Sequence, residues 1–62
     1  RSIVTTRKII KGEEITGDMI WSKRPGTGIP SRFREDIIGR TATRDIDNNK
    51  LIMWSDIDGQ PV

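Results

Sequence analysis

The chain has 62 residues, contains no cysteine and no histidine, and carries 11 basic and 9 acidic side chains for a net charge of +2. This length fits one small domain, and the missing residue types exclude disulfides and the Ser/His/Asp and Cys/His nucleophile arrangements within it. Basic and acidic residues are interleaved rather than gathered in one stripe, so we predict no nucleic-acid partner. The apolar runs fall short of the roughly 18 residues that span a bilayer, so we also predict no membrane association.

The first third of the sequence predicts a strand, a tight turn and one turn of helix. Residues 2–6 are rich in β-branched side chains, which favour a strand. Gly12 follows Lys11 in a predicted turn, where glycine readily adopts a positive φ. Residues 16–20 predict a single helical turn whose capping oxygen comes from Thr16 or Asp18.

A constrained basic loop follows an extended segment at residues 21–23. This stretch, residues 23–30, is called here the Arg24 loop, and its punctuating residues are Pro25, Gly26, Gly28 and Pro30. Proline fixes φ and removes a donor, while glycine relaxes steric limits, so neither a helix nor a ladder strand is expected. Lys23 and Arg24 place two cations at its start.

The second half of the sequence predicts a short helix and then a pattern similar to the first third. We predict a helix over residues 32–38, capped by Ser31 and ended by Gly39 in the left-handed conformation. The remaining predicted elements are a strand over 40–43, a polar turn over 47–50, a strand over 51–53, a helical turn over 54–57 and a fraying tail over 58–62.

An internal repeat relates the two halves of the chain. Residues 6–15 align with residues 43–52 at an offset of 37 positions, and the Gly12 turn then coincides with the Asn49 turn. Such a repeat predicts a pseudo-two-fold domain whose halves bury a common apolar seam. The predicted seam consists of Val4, Ile9, Ile15, Met19, Ile20, Ile37, Ala42, Ile46, Ile52 and Ile57.

Two stretches have partial ligand-binding patterns. Asp45, Asp47 and Asn49 alternate as in a calcium loop, but Lys50 and Asp56 stand where that loop needs Gly and Glu, so we favour a polar turn. Residues 26–28 have glycines like a phosphate loop, without the Gly-Lys-Ser/Thr sequence or the long helix that such loops require. We therefore predict no metal site, no cofactor and no catalytic residue within this domain.

The aromatic residues and the adjacent acidic pair are assigned structural roles. Trp21 and Trp54 could stack on a base or a sugar, but we favour packing because each buries a large area in a small domain. Phe33 is expected to anchor the short helix. Glu13 and Glu14 are neighbours on an extended segment, so their side chains point to opposite faces and are expected to be solvated.

Arg24 is the side chain for which a binding role competes evenly with that of an exposed loop arginine. Its planar guanidinium suits a carboxylate, a phosphate or a carbonyl oxygen. It directly precedes Pro25, which favours an extended backbone at Arg24. A rigid mount reduces the entropy lost on binding.

The sequence resembles the C-terminal antifreeze-like (SAF) domain of bacterial sialic acid synthases, the N-acetylneuraminate synthase family. The resemblance rests on KRPGTGI at residues 23–29, IIGR at 37–40, RDI at 44–46 and KGE at 11–13, and it covers nearly the whole chain. It implies a mostly β fold, the small β-clip of SAF and type III antifreeze proteins, with single helical turns and an internal pseudo-two-fold. It also implies that residues 1–62 are one SAF domain from the C-terminal part of a longer cytoplasmic enzyme.

The resemblance implies a role in a synthase that condenses phosphoenolpyruvate with N-acetylmannosamine or a related amino sugar. In that family a TIM barrel holds a divalent metal, Mn or Mg, and the SAF domain covers the barrel of the other chain in a domain-swapped homodimer. The arginine of the loop, here Arg24, contacts the N-acetyl group of the sugar, with Lys23 and Thr27 as possible neighbours. The isolated domain would not be catalytic.

Two other functions of similar domains were weighed. The ice-binding face of type III antifreeze proteins is flat and mostly uncharged, whereas the aligned stretch here carries Arg7, Lys8, Lys11 and the Glu13–Glu14 pair. We therefore reject ice binding, since fold alone does not carry function. A non-enzymatic SAF module of a pilus or flagellar assembly protein remains the alternative.

Overall fold

Two short antiparallel sheets form the framework of the domain. The computed structural model describes residues 1–24 and 26–58. Within this part, the strands are β1 (Ser2–Thr5), β2 (Ile20–Lys23), β3 (Thr41–Ala42) and β4 (Ile57–Asp58), the α-helix is α1 (Arg34–Ile37), and 3-10 turns span Gly17–Met19, Ser31–Phe33 and Trp54–Asp56. β1 pairs with β2, and β3 pairs with β4. The predicted fold class, mostly β with single helical turns, is confirmed.

The predicted pseudo-two-fold is visible in the strand registers. In the first sheet Val4 faces Trp21 and Thr5 faces Ile20, and in the second Thr41 faces Asp58 and Ala42 faces Ile57. Each residue of the second set lies 37 positions after its counterpart in the first, which is the offset of the sequence repeat. The 3-10 turns Gly17–Met19 and Trp54–Asp56 obey the same offset.

Ile9 and Ile46 mark the axis of this symmetry. They form an antiparallel bridge in which each backbone N–H donates to the other residue's carbonyl at 2.8 Å. Both side chains are buried, at 0% and 1% exposure. The two halves of the chain are therefore joined by reciprocal hydrogen bonds at the centre of the molecule.

The turns of the two halves also correspond. Gly12 has φ +89° and donates its N–H to the Ala42 carbonyl at 2.8 Å, while Asn49 has φ 59° and donates to the Thr5 carbonyl at 3.0 Å. Glycine and asparagine are the residues that tolerate this left-handed conformation best. The predicted turns are confirmed, as is the left-handed Gly39 after the helix, at φ +96°.

The core is built mainly of isoleucine. All ten side chains of the predicted seam are buried. Ile3 and Ile29, at 0% and 1% exposure, are also buried and were missed. All four residues of β1 are buried, so its sequence lacks the polar alternation that would have selected Ile3. Ile29 was missed because it lies in the Arg24 loop, for which no core residue was predicted.

The predicted helix over residues 32–38 is shorter and begins differently. A 3-10 turn precedes α1, whose last residue is Ile37. The predicted Ser31 cap is wrong, because Pro30 occupies the N-cap position of the 3-10 turn and no side-chain cap bond forms. Thr16 does occupy the N-cap position of the first 3-10 turn, but its side chain bonds the Asp18 carboxylate rather than a backbone N–H.

The packing role predicted for the two tryptophans is wrong. Trp21 is 58% exposed and Trp54 is 47% exposed. Trp21 lies in β2 and Trp54 in the last 3-10 turn, both at exposed positions, and the interior is already filled by isoleucine. Trp54 instead meets the half-buried Phe33 edge-on, with ring centroids 5.5 Å apart, and the Arg40 guanidinium lies 5.8 Å from its ring.

Two predictions concern residues outside the described part of the chain. The tail predicted over residues 58–62 is described only at Asp58, which ends β4, and residues 59–62 lie outside. Pro25 of the Arg24 loop lies outside as well. Over the described ranges, no helix combines the length and the apolar character needed to cross a bilayer.

Ile46→Ala should destabilise the domain severely. The truncation opens a cavity beside Ile9 at the symmetry axis, which we expect to lower the free energy of unfolding by about 2–5 kcal/mol in urea titrations followed by circular dichroism. The control is Ile10→Ala, because Ile10 is 49% exposed, and its effect should stay within about 0.5 kcal/mol. Equal effects of the two substitutions would contradict the assignment of the core.

Candidate functional site

The Arg24 loop is fastened to the domain along its second half. The Ile3 N–H donates to the Ile29 carbonyl at 3.0 Å, and the Ile29 N–H donates to the Ile52 carbonyl at 3.4 Å. Just beyond the loop, the Ser31 N–H donates to the Arg1 carbonyl at 3.1 Å. Since the Ile29 side chain is also buried, this residue anchors the loop in the core.

Ser2 contacts both the start and the second half of the Arg24 loop. Its backbone pairs with Lys23 in the β1–β2 register, and its side-chain oxygen accepts the Gly28 N–H at 2.9 Å. Ser2 is fully buried. A Cβ on Gly28 would lie 3.3 Å from both the Ile52 carbonyl oxygen and the Leu51 Cδ2, so a glycine allows the loop to lie close against the neighbouring segment.

The three predicted site residues differ in their contacts. Arg24 is exposed, and its side chain makes none of the hydrogen bonds or ion pairs found among residues 1–24 and 26–58. Thr27 is also exposed. Lys23 donates from Nζ to the Asn49 Oδ1 at 2.7 Å. Among the described residues the Arg24 side chain is thus exposed and unbonded, while Lys23 is engaged within the domain.

The acidic residues are not arranged as a metal site. Across the described residues, no three carboxylates are gathered where they could hold a metal ion. Asp45 of the calcium-like pattern accepts the Lys11 N–H at 2.8 Å and so joins the Gly12 turn to the second half of the chain. Because a divalent cation needs several converging oxygen ligands, the described residues do not fit one.

A comparison with protein-family models shows which family this sequence belongs to. Residues 1–58 match the family model described as the SAF domain. The chain belongs to the SAF domain family. Over 59 residues, 95% of its length, this SAF domain is 41% identical to an uncharacterized protein of Methanocaldococcus jannaschii. The match spans only 18% of that relative's length.

A buried carboxylate in the second half of the SAF domain was missed. Asp56 is 3% exposed, accepts the Arg44 Nε–H at 2.7 Å through Oδ1, and accepts the Met53 N–H at 2.9 Å through Oδ2. The hydrogen bond from Arg44 to the Asp56 carboxylate, and their attraction, raise the pKa of Arg44. Met19 occupies the equivalent place in the first half, so the repeat gave no signal for a charge here. This pair closes a 3-10 turn and is structural.

Glu13 is partly exposed and makes hydrogen bonds that the sequence did not predict. Its carboxylate accepts the Ile10 N–H at 3.1 Å and a hydrogen bond from the Arg7 guanidinium at 2.9 Å. These bonds favour the ionised form, so the Ile10 N–H first, and Arg7 second, lower the pKa of Glu13 below its usual 4.5. Glu14 is exposed, as expected.

The Glu13 bonds should make the domain sensitive to acid. Since the pKa of Glu13 is lower in the folded state, its stabilising effect is complete above about pH 4.5 and is lost as pH falls through the folded pKa. We expect Glu13→Gln to flatten the dependence of unfolding free energy on pH below 4.5. In an NMR titration, Arg7→Met should raise the pKa of Glu13 only part of the way, because the Ile10 bond remains. A normal pKa for Glu13 in the unsubstituted domain would contradict this.

Ser2→Ala should loosen the Arg24 loop. The change removes the acceptor of the Gly28 N–H in a part-buried place, and leaving that group unbonded costs about 1–3 kcal/mol. We expect faster hydrogen exchange at Gly28 and lower stability towards urea. The matched control is Ser55→Ala, whose side chain is exposed and whose carbonyl makes its contact to Thr43 through the backbone. Unchanged exchange at Gly28 in Ser2→Ala would contradict this role of Ser2.

Proposed function

We propose that this SAF domain covers the substrate site of a sialic-acid-type synthase, which condenses phosphoenolpyruvate with N-acetylmannosamine or a related amino sugar. The observation that carries the proposal is the Arg24 loop. It is fastened through Ser2 and Ile29, yet it leaves the Arg24 guanidinium exposed and unbonded within the described residues. A fixed backbone with an unused donor suits the recognition of a ligand from outside the domain.

Arg24 would bind the acyl amide of the sugar. Its planar guanidinium donates to the carbonyl oxygen of the N-acetyl group, and a charged donor makes a stronger hydrogen bond than a neutral one. Because the loop is held at Ser2 and Ile29, little backbone entropy is lost when the sugar binds. Thr27, exposed in the same loop, is a candidate second contact.

The rest of the catalytic centre would lie outside this domain. Aldol-type condensation needs groups that activate phosphoenolpyruvate and the sugar carbonyl, and the chain has no histidine and no cysteine. Its described residues do not fit a divalent cation, so the Mn or Mg ion would be held by the TIM-barrel domain. In a domain-swapped homodimer, Arg24 would reach the barrel of the other chain.

The length of the Methanocaldococcus jannaschii relative leaves room for such a barrel. The 59 aligned residues make up 18% of that protein, which therefore has about 330 residues in total. About 270 residues remain outside the match, and a TIM barrel typically needs about 250. An equivalent barrel in the full-length protein containing this SAF domain would favour the synthase over a pilus or flagellar assembly module.

Arg24→Ala should weaken sugar binding in the full-length protein. Losing a charged hydrogen bond of about 1.5–3 kcal/mol should raise the KM for N-acetylmannosamine about tenfold to hundredfold. The KM for phosphoenolpyruvate should change little, because its ligands lie in the barrel. Steady-state kinetics with each substrate varied in turn would measure both constants.

The control for this experiment is another exposed arginine. Arg32 lies beyond the loop and stacks on the Phe33 ring, with 4.9 Å between the guanidinium carbon and the ring centroid. Arg32→Ala should leave both KM values unchanged. An unchanged sugar KM in Arg24→Ala would contradict the proposed role of Arg24, and a full-length protein without synthase activity would contradict the proposed function.

A further inference from the structure

We infer that Asn49 is a positioning residue for the Arg24 loop and that it acts through Lys23. The Lys23 Nζ donates to the Asn49 Oδ1 at 2.7 Å, across 26 residues of sequence. Lys23 is the last residue of β2 and directly precedes Arg24. The consequence for sugar binding rests on the proposed function, whereas the consequence for loop order does not.

The internal symmetry shows why the side chain of Asn49 matters. Asn49 and Gly12 occupy equivalent turn positions, and both adopt positive φ. Both donate their backbone N–H to the opposite half, to Thr5 and Ala42 respectively. The backbone of this turn is thus compatible with glycine, which adopts positive φ at the lowest cost. The asparagine side chain adds what Gly12 lacks, namely an acceptor for Lys23.

The Lys23–Asn49 bond adds to the contacts that hold the start of the Arg24 loop. The backbone of Lys23 is paired with Ser2, and Ser2 also holds Gly28. The bond between the exposed Lys23 and Asn49 side chains adds a contact to this backbone pairing. Arg24 directly follows the last residue of β2, at a bend of the backbone. Holding Lys23 at Asn49 therefore limits the movement of the residue from which Arg24 continues.

An amide acceptor also preserves the charge of the loop. Asn49 is neutral, so it binds the Lys23 ammonium without cancelling its positive charge. A carboxylate at the same position would keep the hydrogen bond but add a negative charge near Arg24. Asn49→Asp consequently separates the hydrogen bond from the charge, because it retains the acceptor for Lys23 and changes only the electrostatic field near Arg24.

The test compares substitutions at both ends of the bond in the full-length protein. Asn49→Gly keeps the positive φ and removes the acceptor, so hydrogen–deuterium exchange in the peptide over residues 23–30 should become at least threefold faster. Exchange around Gly12 should not change. We expect the KM for N-acetylmannosamine to rise about threefold to tenfold, with kcat and the KM for phosphoenolpyruvate unchanged.

Two further variants separate positioning from a general loss of structure. Asn49→Asp should restore slow exchange in the loop. Lys23→Met should reproduce the effect of Asn49→Gly, and the double variant should be no worse than either single one, because all three remove the same bond. Additive effects of the two single substitutions would overturn the inference.

The outcomes also distinguish this inference from the proposed function. Unchanged loop exchange in Asn49→Gly overturns the inference, whatever Arg24→Ala does. Suppose that Asn49→Gly speeds loop exchange but leaves the sugar KM unchanged, while Arg24→Ala raises that KM. This result also overturns the inference, because a looser loop would then not affect sugar binding. If Arg24→Ala leaves the sugar KM unchanged too, the proposed role of Arg24 fails, and faster exchange still supports Asn49 as the residue that holds the loop.

Discussion

The reciprocal pairing of Ile9 with Ile46 is the contact on which the remainder of the SAF domain depends. Each half contributes one two-stranded sheet, and an isolated pair of short strands is marginally stable at best in water. The two hydrogen bonds at the axis, together with those that each turn makes to the opposite half, join both sheets over one isoleucine core. Ile29 enters that core from the Arg24 loop, so the position of the loop depends on the same packing.

The sequence was most informative where the two halves repeat. The offset identified the seam, because apolar residues recurred where both halves needed them, and it identified Gly12 and Asn49 because their turns share one backbone conformation. Sequence reasoning failed for Trp21 and Trp54, because their size was taken as a sign of burial. The core is instead filled by smaller side chains. A helix over residues 32–38 capped by Ser31 was expected from local preference alone, whereas Pro30 holds the N-cap position of the 3-10 turn that precedes α1.

The candidate site was only partly accessible to sequence reasoning. Arg24 could be singled out because prolines and glycines follow it within a few residues. Its supports could not, since Ser2 and Asn49 reach the loop through contacts separated by 26 positions in the chain. Lys23 was predicted as a possible neighbour of Arg24 at the ligand, and its bond to Asn49 was not foreseen. Contacts between distant segments depend on the complete fold, and no short motif encodes them.

The pairing of the two halves also constrains how the chain folds. Val4 bridges Leu51 and Ile9 bridges Ile46, so the central contacts join residues that are far apart in sequence. Closing such long segments is entropically costly before any core has formed, and chains rich in distant contacts fold more slowly than helical ones of equal size. During synthesis on the ribosome, the N-terminal half could therefore not form the shared core until the last strand of the C-terminal half had emerged.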